Sequence, residues 1–173
     1  MNIKKLTYTA IISAIAFLML MFKIPVSFLS YEIKDVIILI GALYLGTYYG
    51  IIISFVVSII EMITISSTGF IGFFMNFLAT ISYILPICYI YNKNKSIIKG
   101  IILGTICMSV VMFIFNIFMT PLFLKTPLKE TVNLLFTLIT PFNIIKGALN
   151  GLIIYFIHKP ILKALKKSSF EYN

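Results

Sequence analysis

The chain has 173 residues, of which 61% are hydrophobic and only 11% charged, and its formal net charge is +9. Soluble domains carry roughly 45–50% apolar and about 25% charged residues, and a soluble protein of this size cannot hide so much apolar side chain from water. The basic excess is all lysine, 14 Lys and no Arg against 5 acidic residues, set between apolar runs rather than gathered on a groove with arginine forks, which speaks for membrane topology and against a nucleic-acid binder.

No charge interrupts the stretches from Asp35 to Glu61, from Glu61 to Lys93 or from Lys99 to Lys125, and each is long enough for a span of roughly 20 apolar residues. The first predicted span, 6–24, follows Lys4 and Lys5 and closes at Pro25; with no small-residue cleavage site, it reads as a span and not as a removable signal. Val26 to Asp35 mixes Ser, Glu, Lys and Asp with aromatics, the composition of a structured loop at the membrane surface. Residues 36–65 as one helix would be about 45 Å long, against a hydrocarbon core of roughly 30 Å. Gly46-Thr47-Tyr48-Tyr49-Gly50 in the middle is a turn with aromatics at headgroup level, so the run divides into spans 36–48 and 50–65, the second ended by Ser66-Ser67-Thr68-Gly69. A fourth span covers 71–91, with Pro86 near its end, and Asn92-Lys93-Asn94-Lys95 is the clearest hydrophilic loop. The fifth span is 98–118. Pro121, Lys125, Pro127, Lys129 and Glu130 define a longer, partly amphipathic connection, the sixth span is 141–157, and Lys159 to Asn173 is a basic tail.

The lysines test this count. Lys4 and Lys5, then Lys93, Lys95 and Lys99, then Lys159, Lys163, Lys166 and Lys167 fall on one face if there are six spans, with Glu32, Asp35, Lys125, Lys129 and Glu130 on the other. A single span over 36–65 would put the 92–99 loop outside, against the positive-inside rule. The expected fold is therefore all-α: one six-transmembrane-helix bundle over residues 1–173, in the cell membrane, with both termini cytoplasmic.

Ionisable groups inside spans are costly in lipid and mark pairs, cavities or pathways. Lys146 lies in the sixth span and Glu61 in the third, and Asn76, Asn116, Asn143 and Asn150 add uncharged polar groups at membrane depth. Asn143 and Lys146 share a helix face, which Asn150 continues. An amide beside an ammonium, near the free amide groups of a helix that starts at Pro141, suits a small molecule rich in carbonyls and hydroxyls. The residues equally allow Lys146 to pair with Glu61 or to snorkel outward, and allow Asn76 and Asn116 simply to bridge helices. His158 reads as interfacial, beside Lys159 and Pro160. Cys88 and Cys107 read as small hydrophobes, with neither a disulfide nor a metal-ligand spacing. Ala10 and Ala14, followed by Ala16, and the pair Gly100 and Gly104 set small residues four apart, a spacing that lets a helix approach closely, from within the chain or from a partner. No Walker-type loop, metalloprotease motif or nucleophile–base pattern occurs, and no inverted repeat of the secondary-transporter kind is apparent. The chain thus reads as no enzyme, without catalytic residues, metal or cofactor, and any uphill transport needs an outside source of energy. A self-sufficient small-solute carrier and a structural membrane protein remain the alternatives.

The chain resembles the substrate-binding S components of energy-coupling factor (ECF) vitamin transporters, and among them the riboflavin-specific branch, over nearly its whole length. The resemblance is carried by Lys5 to Phe17, by Ile33-Lys34-Asp35-Val36, by the glycines of Gly41 to Gly50, by Ser67-Thr68-Gly69 with Gly72 and Asn76-Phe77, and above all by Pro141-Phe142-Asn143-Ile144-Ile145-Lys146-Gly147. It implies six helices and a vitamin pocket open to the outside beneath the loop between helices one and two. It further implies that Asn143, Lys146 and Asn116 hydrogen-bond the isoalloxazine ring of riboflavin as transported ligand. Ala10 and Ala14 would dock on a transmembrane coupling subunit joined to two cytoplasmic ATPase subunits, and the protein would topple in the membrane to release the vitamin. Two departures stand out: relatives often carry an acid just after the glycine matching Gly72, where this chain has Phe73, and a lysine in helix three near Glu61. Glu61 is then a candidate substitute for the missing acid, and another flavin or vitamin an alternative ligand.

Overall fold

The structure, a computed structural model, describes residues 3–65 and 68–170, with backbone alone beyond 165. Ser66 and Ser67, and the side chains of Lys166 and Lys167, lie outside the described residues.

Helix α1 (Ile3–Met19) tightens into a 3₁₀ turn (Leu20–Phe22) and leads into a two-stranded antiparallel hairpin, β1 (Ile24–Val26) and β2 (Leu29–Tyr31). Ile24 faces Tyr31 and Val26 faces Leu29 across it, and Ser27 takes a positive φ of 58° at the turn. Then come α2 (Lys34–Leu45), α3 (Thr47–Thr64), α4 (Gly69–Asn94) and α5 (Ile97–Leu124). The last rod is α6 (Leu128–Leu134), a π-helical turn (Leu135–Ile139) and α7 (Thr140–Phe170) run together. The architecture among the described residues is thus an all-α bundle of six rods with one small hairpin.

Five of the rods are long and apolar enough to cross a membrane, which makes this a multi-pass membrane protein. The sixth, α2, has 12 residues and is about 18 Å long, short of the roughly 30 Å core. Gly46 makes the expected break in the 36–65 run: its φ of 110° is closed to side-chain-bearing residues. Gly50 is not part of that turn. It lies inside α3, where an added Cβ would sit 2.4 Å from Ala42 Cβ, so its missing side chain is what lets α2 and α3 touch. The expected long connection at 119–140 shrinks as well, because α5 continues through Pro121 and the last rod already starts at Leu128.

Nine of the twelve α2 residues are buried, and the core gathers around Leu39, Ile53, Tyr83, Ile84 and Ile87. On α5, Ile102, Ile106, Val110, Ile114 and Phe118 recur every fourth position and are exposed, an apolar stripe facing where lipid would be. Gly100 and Gly104 turn inward: a Cβ at Gly104 would meet the Tyr83 carbonyl oxygen at 2.7 Å. That stripe therefore serves α4–α5 packing within the chain. Ala10 and Ala14 are exposed, while Ser13 and Ala16 between and beyond them are buried.

One end of the bundle collects the amino end of α1, the α2–α3 and α4–α5 connections and the distal part of α7. There Lys5 lies over the Tyr49 ring and Lys95 over Tyr91, the Tyr44 hydroxyl donates to the Leu165 carbonyl, and His158 packs edge-on against Tyr91. His158 is buried rather than interfacial, its Nδ1 2.8 Å from the Ile154 carbonyl oxygen. The hairpin and the start of α7 belong to the opposite end.

Candidate functional site

At that opposite end a cavity of about 340 Å³ opens between the hairpin and helices α3, α4, α5 and α7. Its volume falls in the range of small-molecule sites, roughly 300–1,000 Å³. Phe28, Leu29, Ile71, Met75, Met112, Met119, Phe123 and Phe142 give it apolar walls, and the hairpin supplies one side. Glu61, Asn76, Asn116, Asn143 and Lys146, the five candidates from sequence, all line it. They come from four helices, so no local stretch of chain makes the site.

Their hydrogen bonds show which capacity is left over. Asn143 Nδ2 donates to the Ile139 carbonyl at 2.8 Å, and Asn116 Nδ2 donates to the Met112 carbonyl at 2.7 Å. Asn116 Oδ1 also accepts from the Thr120 hydroxyl at 3.0 Å. Each amide is thereby fixed by its own helix, yet keeps a second N–H and at least one acceptor lone pair. Asn76 Nδ2 donates to Glu61 Oε1 at 2.8 Å.

Lys146 does not pair with Glu61 and does not snorkel. Its Nζ lies 3.0 Å from Asp35 Oδ2, with both groups buried. Glu61 is taken instead by Lys34, which also contacts Glu32 at 2.7 Å. Glu32, Lys34 and Asp35, read from sequence as part of a surface loop, are each no more than 1% exposed. Such burial of charge is tolerable only because each ion meets an opposite one and further hydrogen bonds: the Ser30 hydroxyl donates to Glu32 at 2.7 Å, and the Thr80 hydroxyl to Asp35 at 2.8 Å. The Tyr31 hydroxyl donates to Asn150 Oδ1 at 2.9 Å. Hairpin, α2 and α7 are thus tied together directly behind the cavity. Asn150, expected on the cavity face, serves this tie.

A polar cluster converging on an apolar cavity inside a polytopic bundle defines a membrane protein that holds a small molecule. Residues 4–158 match the family described as "ECF transporter, substrate-specific component", and the chain belongs to that family. Its members are non-catalytic substrate-binding membrane proteins, working within an ECF transporter of a transmembrane subunit and ATPase subunits. The chain is 33% identical to "Riboflavin transporter RibU" of Staphylococcus aureus, covering 95% of this chain and 93% of that one. It is 30% identical to the protein of the same name from Streptococcus thermophilus, covering 96% and 86%. With "Riboflavin transporter FmnP" of Bacillus subtilis it shares 28% identity over 85% and 86%. Its fold superimposes on the solved S component of a bacterial ECF transporter with a TM-score of 0.80 at 32% identity, over 94% and 98% of the two chains.

Proposed function

We propose that the cavity binds riboflavin and that the protein is the riboflavin-binding S component of an ECF transporter. The observation that carries this reading is the unspent hydrogen-bonding capacity of Asn143, Lys146 and Asn116 on a cavity with otherwise apolar walls. The isoalloxazine ring is a flat apolar tricycle whose dione edge alternates carbonyl, N–H and carbonyl. It asks for donor, acceptor and donor in turn, which an ammonium and carboxamides supply. Because Asp35 pairs with Lys146 and Lys34 pairs with both Glu61 and Glu32, neither of these lysines is left unpaired, and the site offers donors to a neutral ring. Glu61 and Asn76, on the α3–α4 side, are the acceptors and donors for the hydroxylated ribityl chain. The names of the relatives from three bacteria support the same ligand.

The purified protein is expected to carry a yellow flavin absorbance, and after removal of the ligand to quench riboflavin fluorescence stoichiometrically. A colourless preparation that leaves riboflavin fluorescence untouched overturns the assignment.

In the membrane, the lysine-rich end of the bundle is the cytoplasmic one. Both termini then lie inside, α2 completes a sixth crossing together with the hairpin, and the cavity faces outward. With Cys88 and Cys107 replaced, single cysteines introduced at Asn94 and Thr126 are expected to react with impermeant reagents from opposite sides. Reaction of both from one side overturns this topology.

A further inference from the structure

Lys146 sits at the end of a flexible four-carbon stem rich in rotamers, so an ammonium useful to a ligand has to be held. Glu61 also lines the cavity and is the obvious competing partner, but Lys34 and Asn76 already occupy its two oxygens. What holds Lys146 is Asp35, 3.0 Å away and 1% exposed. Asp35 is absent from the cavity lining, whereas Lys146 is part of it. Asp35 is itself fixed from the far side: Thr80 Oγ1 lies 2.8 Å from Asp35 Oδ1 and 2.9 Å from the Asn76 carbonyl oxygen. It also stands in the first turn of α2, where free amide groups favour a carboxylate. A chain of contacts therefore runs from α4 through α2 to α7 and ends on the cavity wall.

From this geometry we infer that Asp35, braced by Thr80, is the positioning residue for Lys146, setting the direction in which its ammonium meets the ligand without touching the ligand itself. The inference rests on the flavin reading of the cavity. Of the three N–H bonds on Nζ, one is committed to Asp35, which leaves two in fixed directions for the ligand. Asn at position 35 keeps the shape and the Thr80 contact but removes the charge that pins Lys146. Glu restores the charge on a longer arm.

The test is titration of riboflavin, by fluorescence quenching, into purified full-length wild type, D35N, D35E, K146M and the D35N/K146M double variant. Asp35→Asn is expected to weaken binding by about tenfold or more, with Asp35→Glu recovering most of it, because a hydrogen bond to a charged group is at stake. In the Lys146→Met background, Asp35→Asn is expected to change affinity by less than about twofold, since residues acting through one contact are non-additive. Wild-type affinity in D35N overturns the inference, and so does a loss of the same size in both backgrounds, which would mean that Asp35 meets the ligand or shapes the fold on its own account. A K146M protein that binds riboflavin as wild type does overturns the flavin site as well, so the two failures are told apart. Should D35N not fold, Thr80→Val carries the test: it is expected to weaken binding with Lys146 present and to do nothing in K146M, and equal losses in both overturn the inference.

Discussion

Riboflavin affinity is expected to fall by about 100-fold or more in Lys146→Met, since truncating a hydrogen-bonded buried charge costs about 2–5 kcal/mol. Asn143→Ala should cost about tenfold, the scale of one neutral hydrogen bond plus the unmet polar group of the ligand. The two variants should differ in stability as well as affinity. The side-chain hydrogen bond of Asn143 runs to Ile139 in the same rod, so its loss is expected to leave the packing between rods intact. Lys146→Met strands Asp35, and breaking a buried pair typically costs about 3–5 kcal/mol. Here the Thr80 hydroxyl still solvates the carboxylate, and D35N/K146M, which removes both charges, should regain thermal stability without regaining affinity. Fluorescence titration and thermal unfolding of the same detergent-purified samples measure both. Unchanged affinity in Lys146→Met and Asn143→Ala together would refute the pocket.

The second large effect is expected at Ala14, on the opposite principle: binding is spared and transport is lost. Ala10 and Ala14 are exposed on α1 while Ser13 and Ala16 pack inward, so a side chain added at Ala14 points away from the bundle, and Ala14 is not part of the cavity lining. Small residues four apart let a second helix come within backbone distance, where van der Waals contact is the main gain. An indole of roughly 150–250 Å² would hold such a helix off. Ala14→Trp is therefore expected to bind riboflavin within about twofold of wild type, as a substitution outside the core and the site should. In proteoliposomes with the coupling subunit and both ATPases, its ATP-dependent uptake should drop to background. Intact uptake would reject a docking role for this face.

Much of this was legible in the sequence because lipid leaves few choices. Apolar runs of span length, a glycine-marked break in an overlong run and lysines between spans are each forced by the cost of exposing backbone and charge to hydrocarbon. The cavity residues were legible for the same reason: Lys146, Glu61, Asn76, Asn116 and Asn143 are expensive at depth, and all five reach the cavity. Partner choice was not legible. Nothing local tells Lys146 to take Asp35 rather than Glu61, since that depends on how α2 is seated. Glu32, Lys34 and Asp35 were read as surface charges because they adjoin a polar, aromatic loop. One physical signal could have corrected this. With Gly46 at the cytoplasmic surface, as the proposed topology has it, a 12-residue helix is too short to reach the other surface, so charges at its beginning would fall at depth and need partners there. The hairpin was missed because three-residue strands leave almost no alternation to read.

The spacing of the buried partners along the chain sets an order of assembly during synthesis. Lys34 and Glu61 are 27 positions apart and can meet as soon as α2 and α3 fold back on each other. Tyr31 and Asn150 are 119 apart, and Asp35 likewise waits for Lys146. At about 5–20 residues per second of translation, Asp35 and Tyr31 stay without their α7 partners for several seconds to some tens of seconds after emerging. A nascent chain stalled before residue 140 would hold the α2–α3 half of the charge cluster but none of the α7 groups. On the riboflavin reading proposed above, ligand binding waits for α7, and a product truncated before residue 140 is expected to be blind to the vitamin rather than a weak competitor for it.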